Sequence, residues 1–412
     1  MALIVQKFGG TSVGSIERIK NVAQKVKKEI SKGNKVVVVV SAMSGETNKL
    51  VAFCEGVSNL QSPESLREYD AIVSSGEIVT SGLLALELQS IGIPAKSMLG
   101  WQVPIVTGSA HSNARIENID STRLKKELEK FVIVVPGFQG VTNEENPIER
   151  SVTTLGRGGS DTSAVAVAAA LGADRCDIFT DVDGVYTSDP RIVEKARKLN
   201  KIGYEEVLEM ASLGAKVLHS RCVELAMKYK VKTQVLSSFK DEEGTFLVEE
   251  EEVVERRLIT GVTYSRNDAQ VTLVGVENVP GVAAHIFGPL ADAGVNVDMI
   301  VQNVGKGDQK ADITFTIAKS DIPRAEEALK KSGLKYDEFY KNTAVVKVSV
   351  IGVGMRSHAG IAQKMFETLA NKGINIYVIS TSEIKISVLI DEEYLELAMR
   401  SLHTAYGLDA QD

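Results

Sequence analysis

Over roughly the first 240 residues, short continuous apolar runs alternate with stretches in which apolar residues recur every three or four positions. Leu3-Ile4-Val5 is one such run, and Val36–Val40 is wholly β-branched, the composition of a strand covered on both faces. Phe131–Val135 and Asp177–Thr180 repeat the theme. Between them, Ile16, Ile19, Val22, Val26 and Ile30 share one helical face, and Asp161–Leu171 forms a second helical pattern rich in alanine and valine. The alternation predicts the α/β class, with a three-layer αβα architecture around a mostly parallel sheet. Ligands of such sheets bind beyond the carboxyl ends of the strands. The polar and glycine-rich segments of interest all follow a predicted strand.

The pattern changes after the polar stretch Phe239–Gly244, which suits a linker. Beyond it lies an internal repeat. Residues 281–300 and 360–379 align at a constant offset of 79, with eight of twenty positions identical. The identical pairs begin at Gly281, Ala283, Phe287, Leu290, Ala291, Gly294, Asn296 and Ile300. Each copy reads strand, loop, helix, glycine stop, strand, with upstream strands at Val271–Val274 and Val346–Val350 and downstream strands at Asp312–Ile317 and Ile384–Ile390. Two small α+β units of βαββ type are therefore expected. The predicted domains are 1–245, 262–340 and 341–412, with residues 246–261 available to complete the last.

Composition narrows the class. The 412 residues carry 47 basic and 54 acidic side chains, a net charge of −7, which argues against a nucleic-acid or anionic-membrane surface. The acidic run Glu249–Glu252 reads as a solvated segment near a domain junction. Cys54, Cys176 and Cys222 are widely spaced and read as buried small hydrophobes in a reducing compartment. Neither a signal-type leader nor an apolar run of membrane-spanning length is evident, so the cytoplasm is the expected location.

Six segments carry candidate chemistry. Lys7-Phe8-Gly9-Gly10-Thr11-Ser12 follows the first strand and precedes a helix. Glycines permit close backbone approach, helix-end amides point at an anion, and the lysine adds a full charge, so the segment is built like a phosphate cradle. Plain turn chemistry would use the same glycines. Thr154-Leu155-Gly156-Arg157-Gly158-Gly159-Ser160-Asp161 precedes the alanine-rich helix. Ser160 or Asp161 could serve simply as a cap, but capping needs neither Arg157 nor three glycines. A guanidinium beside such a turn suits bidentate capture of a carboxylate or phosphate.

The third segment, Phe179–Arg191, leaves a strand and is dense in turn formers. It lacks the bidentate glutamate of an EF-hand and is either an ordinary acidic turn or a nucleotide clamp using Tyr186 and Arg191. Gly214–His219 contributes Lys216, which counts only in company. Ser74-Ser75-Gly76-Glu77 starts a helix, either as a capping arrangement or as a carboxylate for a substrate ammonium. Ser41–Thr47 follows the Val36–Val40 strand, where hydroxyls can line an acceptor pocket. Together these features converge on phosphoryl transfer to a small amino acid. No base is evident, and a carboxylate nucleophile needs none.

These motifs, in this order, resemble those of the bacterial aspartate kinases of the amino-acid-kinase family. The resemblance rests on Lys7–Ser12, Ser74–Glu77, Gly156–Asp161, Thr180–Tyr186 and Gly214–His219, and it covers essentially the whole chain. The paired C-terminal units resemble ACT domains, the amino-acid-sensing modules of ferredoxin-like fold. The resemblance implies ATP-dependent phosphorylation, with Mg²⁺, of the β-carboxylate of L-aspartate to 4-phospho-L-aspartate. That is the first step toward lysine, threonine, methionine and diaminopimelate.

Matched residue by residue, Lys7 would neutralise the transferring phosphoryl group, with Gly9 and Gly10 presenting amides and Asp161 organising the metal–phosphate cluster. Glu77 would hold the substrate ammonium and Arg157 its α-carboxylate, beside Gly158, Gly159 and Ser160. Ser41 and Thr47 would line the acceptor pocket. Thr180, Asp181, Tyr186, Arg191, Lys216 and Val217 would contact ATP. No residue of the protein is expected to form a metal site of its own.

The resemblance further implies feedback inhibition by lysine, threonine or both, at sites where two ACT units pair, and a homo-oligomer, dimer or tetramer. One wall would comprise Val279, Pro280, Gly281, Val282, Ala283, Asn296, Asp298, Met299 and Gln302. In the second copy Met355, His358, Asn375, Ile376, Thr381, Ser382 and Glu383 occupy equivalent places. Asp298 and Glu383 could each accept an ammonium. Some relatives make a separate regulatory subunit from an internal start, but no methionine lies between Met227 and Met299. The alternatives are a related carboxylate kinase acting on N-acetylglutamate, or a non-catalytic amino-acid sensor. The first would leave Glu77 without a charge to meet. The second would not require Lys7, Arg157, Asp161 and Lys216 together.

Overall fold

The computed structural model describes all residues except 147, 213–217, 251–257, 305–309, 357, 359 and 411–412, together with the side chain of 356. The described residues group into two compact units. The first takes in Met1–Val185, Lys198–Ser212 and residues 218–250, and the second Tyr186–Arg197 and residues 258–410.

The first unit is built on an eight-stranded sheet. Its strand order is Lys201–Gly203, Thr245–Val248, Thr233–Ser237, Arg175–Thr180, Leu3–Phe8, Lys35–Val40, Val132–Pro136, Ala95–Ser97. The last six run parallel, whereas Thr245–Val248 pairs antiparallel with Thr233–Ser237. The centre is apolar on both faces: Val36 to Val40 are all buried. Helix Ile16–Ser31 covers one face through Ile19, Val22, Ala23 and Val26. Ile16, expected on that face, is exposed, because the helix starts there and overhangs the sheet. Helix Gly159–Leu171 is buried along almost its whole length, which its alanines permit by allowing close approach.

A second sheet of this unit was not evident in the sequence. It joins Ile116–Ile119, Ile105–Thr107, Gln139–Thr142 and Val152–Thr154, strands too short for periodicity to register. The helix pair Pro63–Val73 and Ser75–Ser90 is likewise longer than its pattern suggests. Ser74 between them is itself helical, at φ −68° and ψ −15°. The resulting run from Pro63 to Ser90 is long and apolar enough to cross a membrane by length and composition, contrary to expectation. Half of its apolar window is buried within the protein, and it carries the buried carboxylates Asp70 and Glu77, as a core helix does.

The second unit holds two four-stranded antiparallel sheets, each with helices on one face. One contains Val297–Val304, Lys310–Ala318, Asp268–Glu277 and Glu338–Asn342, the other Gly261–Ser265, Val345–Ile351, Lys385–Asp391 and Val378–Thr381. The strand Gly261–Ser265 precedes the first sheet in sequence but pairs with Val345–Ile351 of the second. The two folds are therefore interleaved. The repeat has a backbone cause. Gly281 and Gly360 start their helices at φ 92° and 94°, conformations that a β-carbon disfavours. Below them, Ile286 and Leu290 match Met365 and Leu369 as buried core positions.

Tyr186–Arg197 belongs to this second unit. Ile192 and Val193 are buried in the core around Val346, Val348 and Leu402. Arg400 Nε donates to the Ile192 carbonyl at 2.8 Å, and the buried His403 ring pairs through Nε2 with the Thr187 hydroxyl at 2.9 Å.

In the first unit, a β-carbon on Gly244 would overlap the carbonyl oxygen of Val235 on the adjoining strand. We expect Gly244→Ala to destabilise the unit by about 3 kcal/mol through overpacking, read as a lowered unfolding temperature of the full chain. An unchanged temperature would contradict this packing.

Candidate functional site

The carboxyl ends of three adjacent parallel strands form the floor of the site. Leu3–Phe8 lies between Lys35–Val40 and Arg175–Thr180, with Lys7 opposite Val39 and Ile178. Beyond the strand ends, the Gly9 amide donates to the Phe179 carbonyl at 3.2 Å and the Ser41 amide to the Phe8 carbonyl at 3.0 Å. The Ser12 and Ser238 hydroxyls meet at 2.5 Å, and the Ser238 amide reaches the Thr180 carbonyl at 2.9 Å. Gly10 packs so closely that a β-carbon would lie 3.0 Å from the Ala42 carbonyl oxygen. A 3₁₀ turn, Gly10–Val13, intervenes before the helix, whose start is capped by the Ser15 hydroxyl at 3.3 Å from the Arg18 amide. The amides beside the glycines therefore belong to this turn and not to the longer helix, as the sequence had suggested.

Lys7 is 7% exposed, and its ammonium pairs with the carboxylate of Asp161. Burying a cation without a partner is costly, and Asp161 supplies the counter-charge. Asp161 stands in the first turn of helix Gly159–Leu171, where the helix dipole favours an anion. Neither Ser160 nor Asp161 caps that helix. Gly158 occupies the cap position at φ 70°, with no side-chain cap. A side chain there would also collide with the His219 ring. Gly159 is as tight: its β-carbon would stand 2.8 Å from Phe138 Cδ2. Phe138 is itself in the left-handed region, at φ 69°, with its amide held by the Ser163 hydroxyl at 3.0 Å. Arg157 projects from this turn, exposed and without an ion pair among the described residues.

Glu77 is buried at 3% exposure. Because the helix runs through Ser74, Glu77 stands in a continuous helix and takes no part in capping. Its Oε1 accepts the Ala42 amide at 3.0 Å, while Oε2 is buried with no hydrogen-bond partner. Gly76 makes room: a β-carbon there would lie 2.8 Å from the Ala42 methyl. Burial pushes the Glu77 carboxyl up to about 7, only partly opposed by the Ala42 amide. Ser41 and Thr47 flank the same loop, both half-buried. A buried oxygen without a donor, together with a lysine–aspartate ion pair and an unpaired guanidinium, suits a ligand that brings both an ammonium and anionic groups.

On the far side, the Thr180 hydroxyl donates to the exposed Asp181 at 3.1 Å. Tyr186 and Arg191, expected beside them, fall in the second unit. Arg191 is exposed and grips Asp189 through Nε at 3.0 Å and Nη2 at 2.8 Å, and Asp189 also accepts the Tyr264 hydroxyl at 3.2 Å. The expected contribution of Arg191 to a phosphate site is met here by a carboxylate. Lys216 and Val217 lie outside the described residues. Among the described residues no three histidine, cysteine, aspartate or glutamate side chains gather at metal-binding spacing.

Of the expected effector wall, Val279, Pro280, Gly281, Ala283, Asn296, Asp298 and Gln302 are exposed, whereas Val282 and Met299 are buried. Gln302 Nε2 donates to Asn278 at 3.2 Å. Asp298, expected to receive an effector ammonium, already meets one. The buried Lys347 places its Nζ 2.8 Å from Asp298 and 3.1 Å from Asp268. Partial desolvation pushes the Asp298 carboxyl up, but Lys347 outweighs it and holds that carboxyl below its ordinary range. The strand bulges there, and Met299 takes φ 49°. In the second copy Met355 and Ile376 pack on the core, and His358 Nδ1 lies 3.1 Å from the Gly354 carbonyl. Asn375, Thr381, Ser382 and Glu383 are exposed, with the Ser382 amide closing a turn onto Lys385 at 2.8 Å.

The raised Glu77 pKa has a stability consequence. An acid whose folded pKa exceeds its unfolded value, here about 7 against 4.5, keeps its proton more readily when folded, so stability falls as pH rises through that window. The full effect is on the order of 3 kcal/mol. We expect ligand-free Glu77→Gln to gain unfolding temperature relative to the parent at pH 8 and to lose that advantage at pH 5. Parallel curves across this range would show that Glu77 ionises freely.

The amino acid kinase family model matches residues 2–237, and ACT domain models match residues 270–333 and 348–406. A Pseudomonas fluorescens protein named aspartate kinase is 54% identical over 414 residues, covering 100% of this chain and 98% of its own. An aspartokinase of Helicobacter pylori is 51% identical, covering 99% of this chain and 100% of its own. The structure of Escherichia coli aspartokinase III in complex with aspartate and ADP superposes with a TM-score of 0.81 at 26% identity, covering 98% of this chain and 99% of that one. The same enzyme in complex with lysine and aspartate gives 0.77 at 26% identity, again over 98% and 99% of the two chains. With its kinase-like first unit and its duplicated C-terminal units both matched, and relatives aligned over the full length, the chain belongs to the amino acid kinase family, in the aspartate kinase group that carries two ACT domains.

Proposed function

We propose that the protein transfers the γ-phosphoryl group of MgATP to the β-carboxylate of L-aspartate. The observation that carries this reading is the buried Glu77 oxygen without a partner, which an α-ammonium would satisfy. A β-carboxylate oxygen attacks the γ-phosphorus, the bond to the bridging oxygen breaks, and ADP departs with the electron pair. The nucleophile is already ionised, so the protein has to position reactants and neutralise charge. Lys7, oriented by Asp161, faces the transferring group, with the Gly9 and Gly10 amides beside it. Arg157 takes the α-carboxylate next to Gly158, Gly159 and Ser160, and Ser41 and Thr47 border the acceptor. Thr180, Asp181, Lys216 and Val217 serve the nucleotide. Mg²⁺ arrives with ATP, held chiefly by its phosphates, as that ion commonly is.

In this reading the product feeds lysine, threonine, methionine and diaminopimelate formation in the cytoplasm. The working form is a homo-oligomer joined through ACT pairing, and lysine, threonine or both inhibit. An effector inhibits only by binding the less active arrangement better.

Trapping the acyl phosphate with hydroxylamine tests the reaction. Aspartate is expected to yield the hydroxamate and N-acetylglutamate none, and the reverse would overturn the assignment. Lys7→Ala should lower kcat on the order of a hundredfold or more with the fold intact. In the parent, kcat/KM for aspartate should fall below pH about 7 as Glu77 takes up a proton, and Glu77→Gln should be low and flat there. Titrating lysine and threonine singly and together against activity tests regulation, and a flat response to all three would refute it.

A further inference from the structure

Asp70 is a completely buried carboxylate on helix Pro63–Val73. Its partners come from two separate elements. The Ser112 amide donates to both its oxygens at 3.0 Å, His111 Nδ1 lies at 2.8 Å, and the Thr154 hydroxyl at 2.5 Å. Thr154 ends strand Val152–Thr154, immediately before Leu155-Gly156-Arg157. The Ala114 amide binds the Thr154 carbonyl at 2.8 Å. Arg221 clamps the same pair of segments, giving one hydrogen bond to the Leu155 carbonyl at 2.6 Å and another to the Ala114 carbonyl at 3.0 Å. Gly156, at φ 75°, is pressed so tightly on the loop that a β-carbon would lie 2.9 Å from Asn113 Oδ1. Ser112 is held at φ 66°, a strained conformation for a residue with a side chain.

Asp70 also stands two helical turns before Glu77 in the continuous helix, a rise of about 10 Å. Its carbonyl accepts the Ser74 amide at 3.1 Å, and the Ser74 carbonyl is held by Gln139 Nε2 at 3.2 Å. One residue thus ties the helix bearing Glu77 to the turn bearing Arg157.

We propose that Asp70 is a positioning residue for the acceptor, fixing the separation between the carboxylate that receives the substrate ammonium and the guanidinium that receives its α-carboxylate. This rests on the reading of Glu77 and Arg157 given above. Asp70 touches no substrate atom and acts through Thr154, His111 and Ser112. The nucleotide end of the site, at Lys7 and Gly9, shares none of these bonds. Asp161, which pairs with Lys7, follows the same turn but is carried by helix Gly159–Leu171, so loosening Asp70 costs the acceptor far more of its fit than the nucleotide.

The test uses the full-length protein. Asp70→Asn keeps the volume but cannot accept from all its partners. We expect its KM for aspartate to rise on the order of tenfold to a hundredfold, with a much smaller change in KM for ATP. Its preference for aspartate over β-alanine, which lacks the α-carboxylate, should collapse. Thr154→Val should move the same two quantities in the same direction, and Thr154→Ser, which retains the hydroxyl, should restore them. If Asp70→Asn does not fold, the threonine pair decides alone. Equal losses for aspartate, β-alanine and ATP, or no change in a folded variant, would overturn the proposal. An inactive parent enzyme would instead overturn the aspartate kinase reading.

Discussion

A lysine at the end of a central parallel strand has apolar neighbours on both sides and almost no access to water. It can stay charged there only if an anion comes with it. The Lys7–Asp161 pair meets this constraint, and much of the first unit follows from it. Asp161 must enter at the start of a helix, so the turn before that helix must pass directly over the strand ends. Gly156, Gly158 and Gly159 make this passage possible, two of them in backbone conformations that other residues avoid. Arg157 is carried along and left facing outward. The ion pair and the glycine-rich turn are thus one arrangement.

Charge is distributed unevenly around that arrangement. Lys7 and Asp161 neutralise each other, while burial leaves Glu77 only partly ionised near pH 7. An incoming ammonium would draw the proton off Glu77, and an incoming phosphate would compete for Lys7. Arg157 is the charge left without a counter-ion among these groups, and the substrates themselves would complete the site's ionic contacts. Such an arrangement limits the desolvation penalty carried by the resting protein.

The large features were legible in the sequence because they are periodic. Val36–Val40 could hardly be anything but a buried strand, and the 79-residue offset announced two copies of one fold. The phosphate-cradle and arginine turns were legible because glycine at those densities has few other uses. What escaped reading was non-local. Nothing near Asp70 in sequence indicates that it meets Thr154, because its partners lie 41 to 84 residues away. Lys347 looked like one more strand lysine, yet it fills the carboxylate that Asp298 was expected to offer an effector. The interleaving of the C-terminal sheets turns on the strand Gly261–Ser265, whose own residues carry no sign of which sheet it joins. The helical state of Ser74 was equally hidden, since serine before an acidic turn ordinarily marks a helix start.

The excursion at Tyr186–Arg197 bears on how such a protein can be cut and recombined. The polypeptide leaves the first unit after Val185, contributes Ile192 and Val193 to the interior of the second, and returns at Lys198. The N-terminal portion is consequently not a self-contained module in the sense that a gene fusion assumes. A fragment ended near Glu250 would keep those two aliphatic side chains and lose the core around Val346, Val348 and Leu402 that covers them. Swapping C-terminal halves between relatives would also require this dozen-residue insert to travel with the half it packs into, although it is encoded in the other.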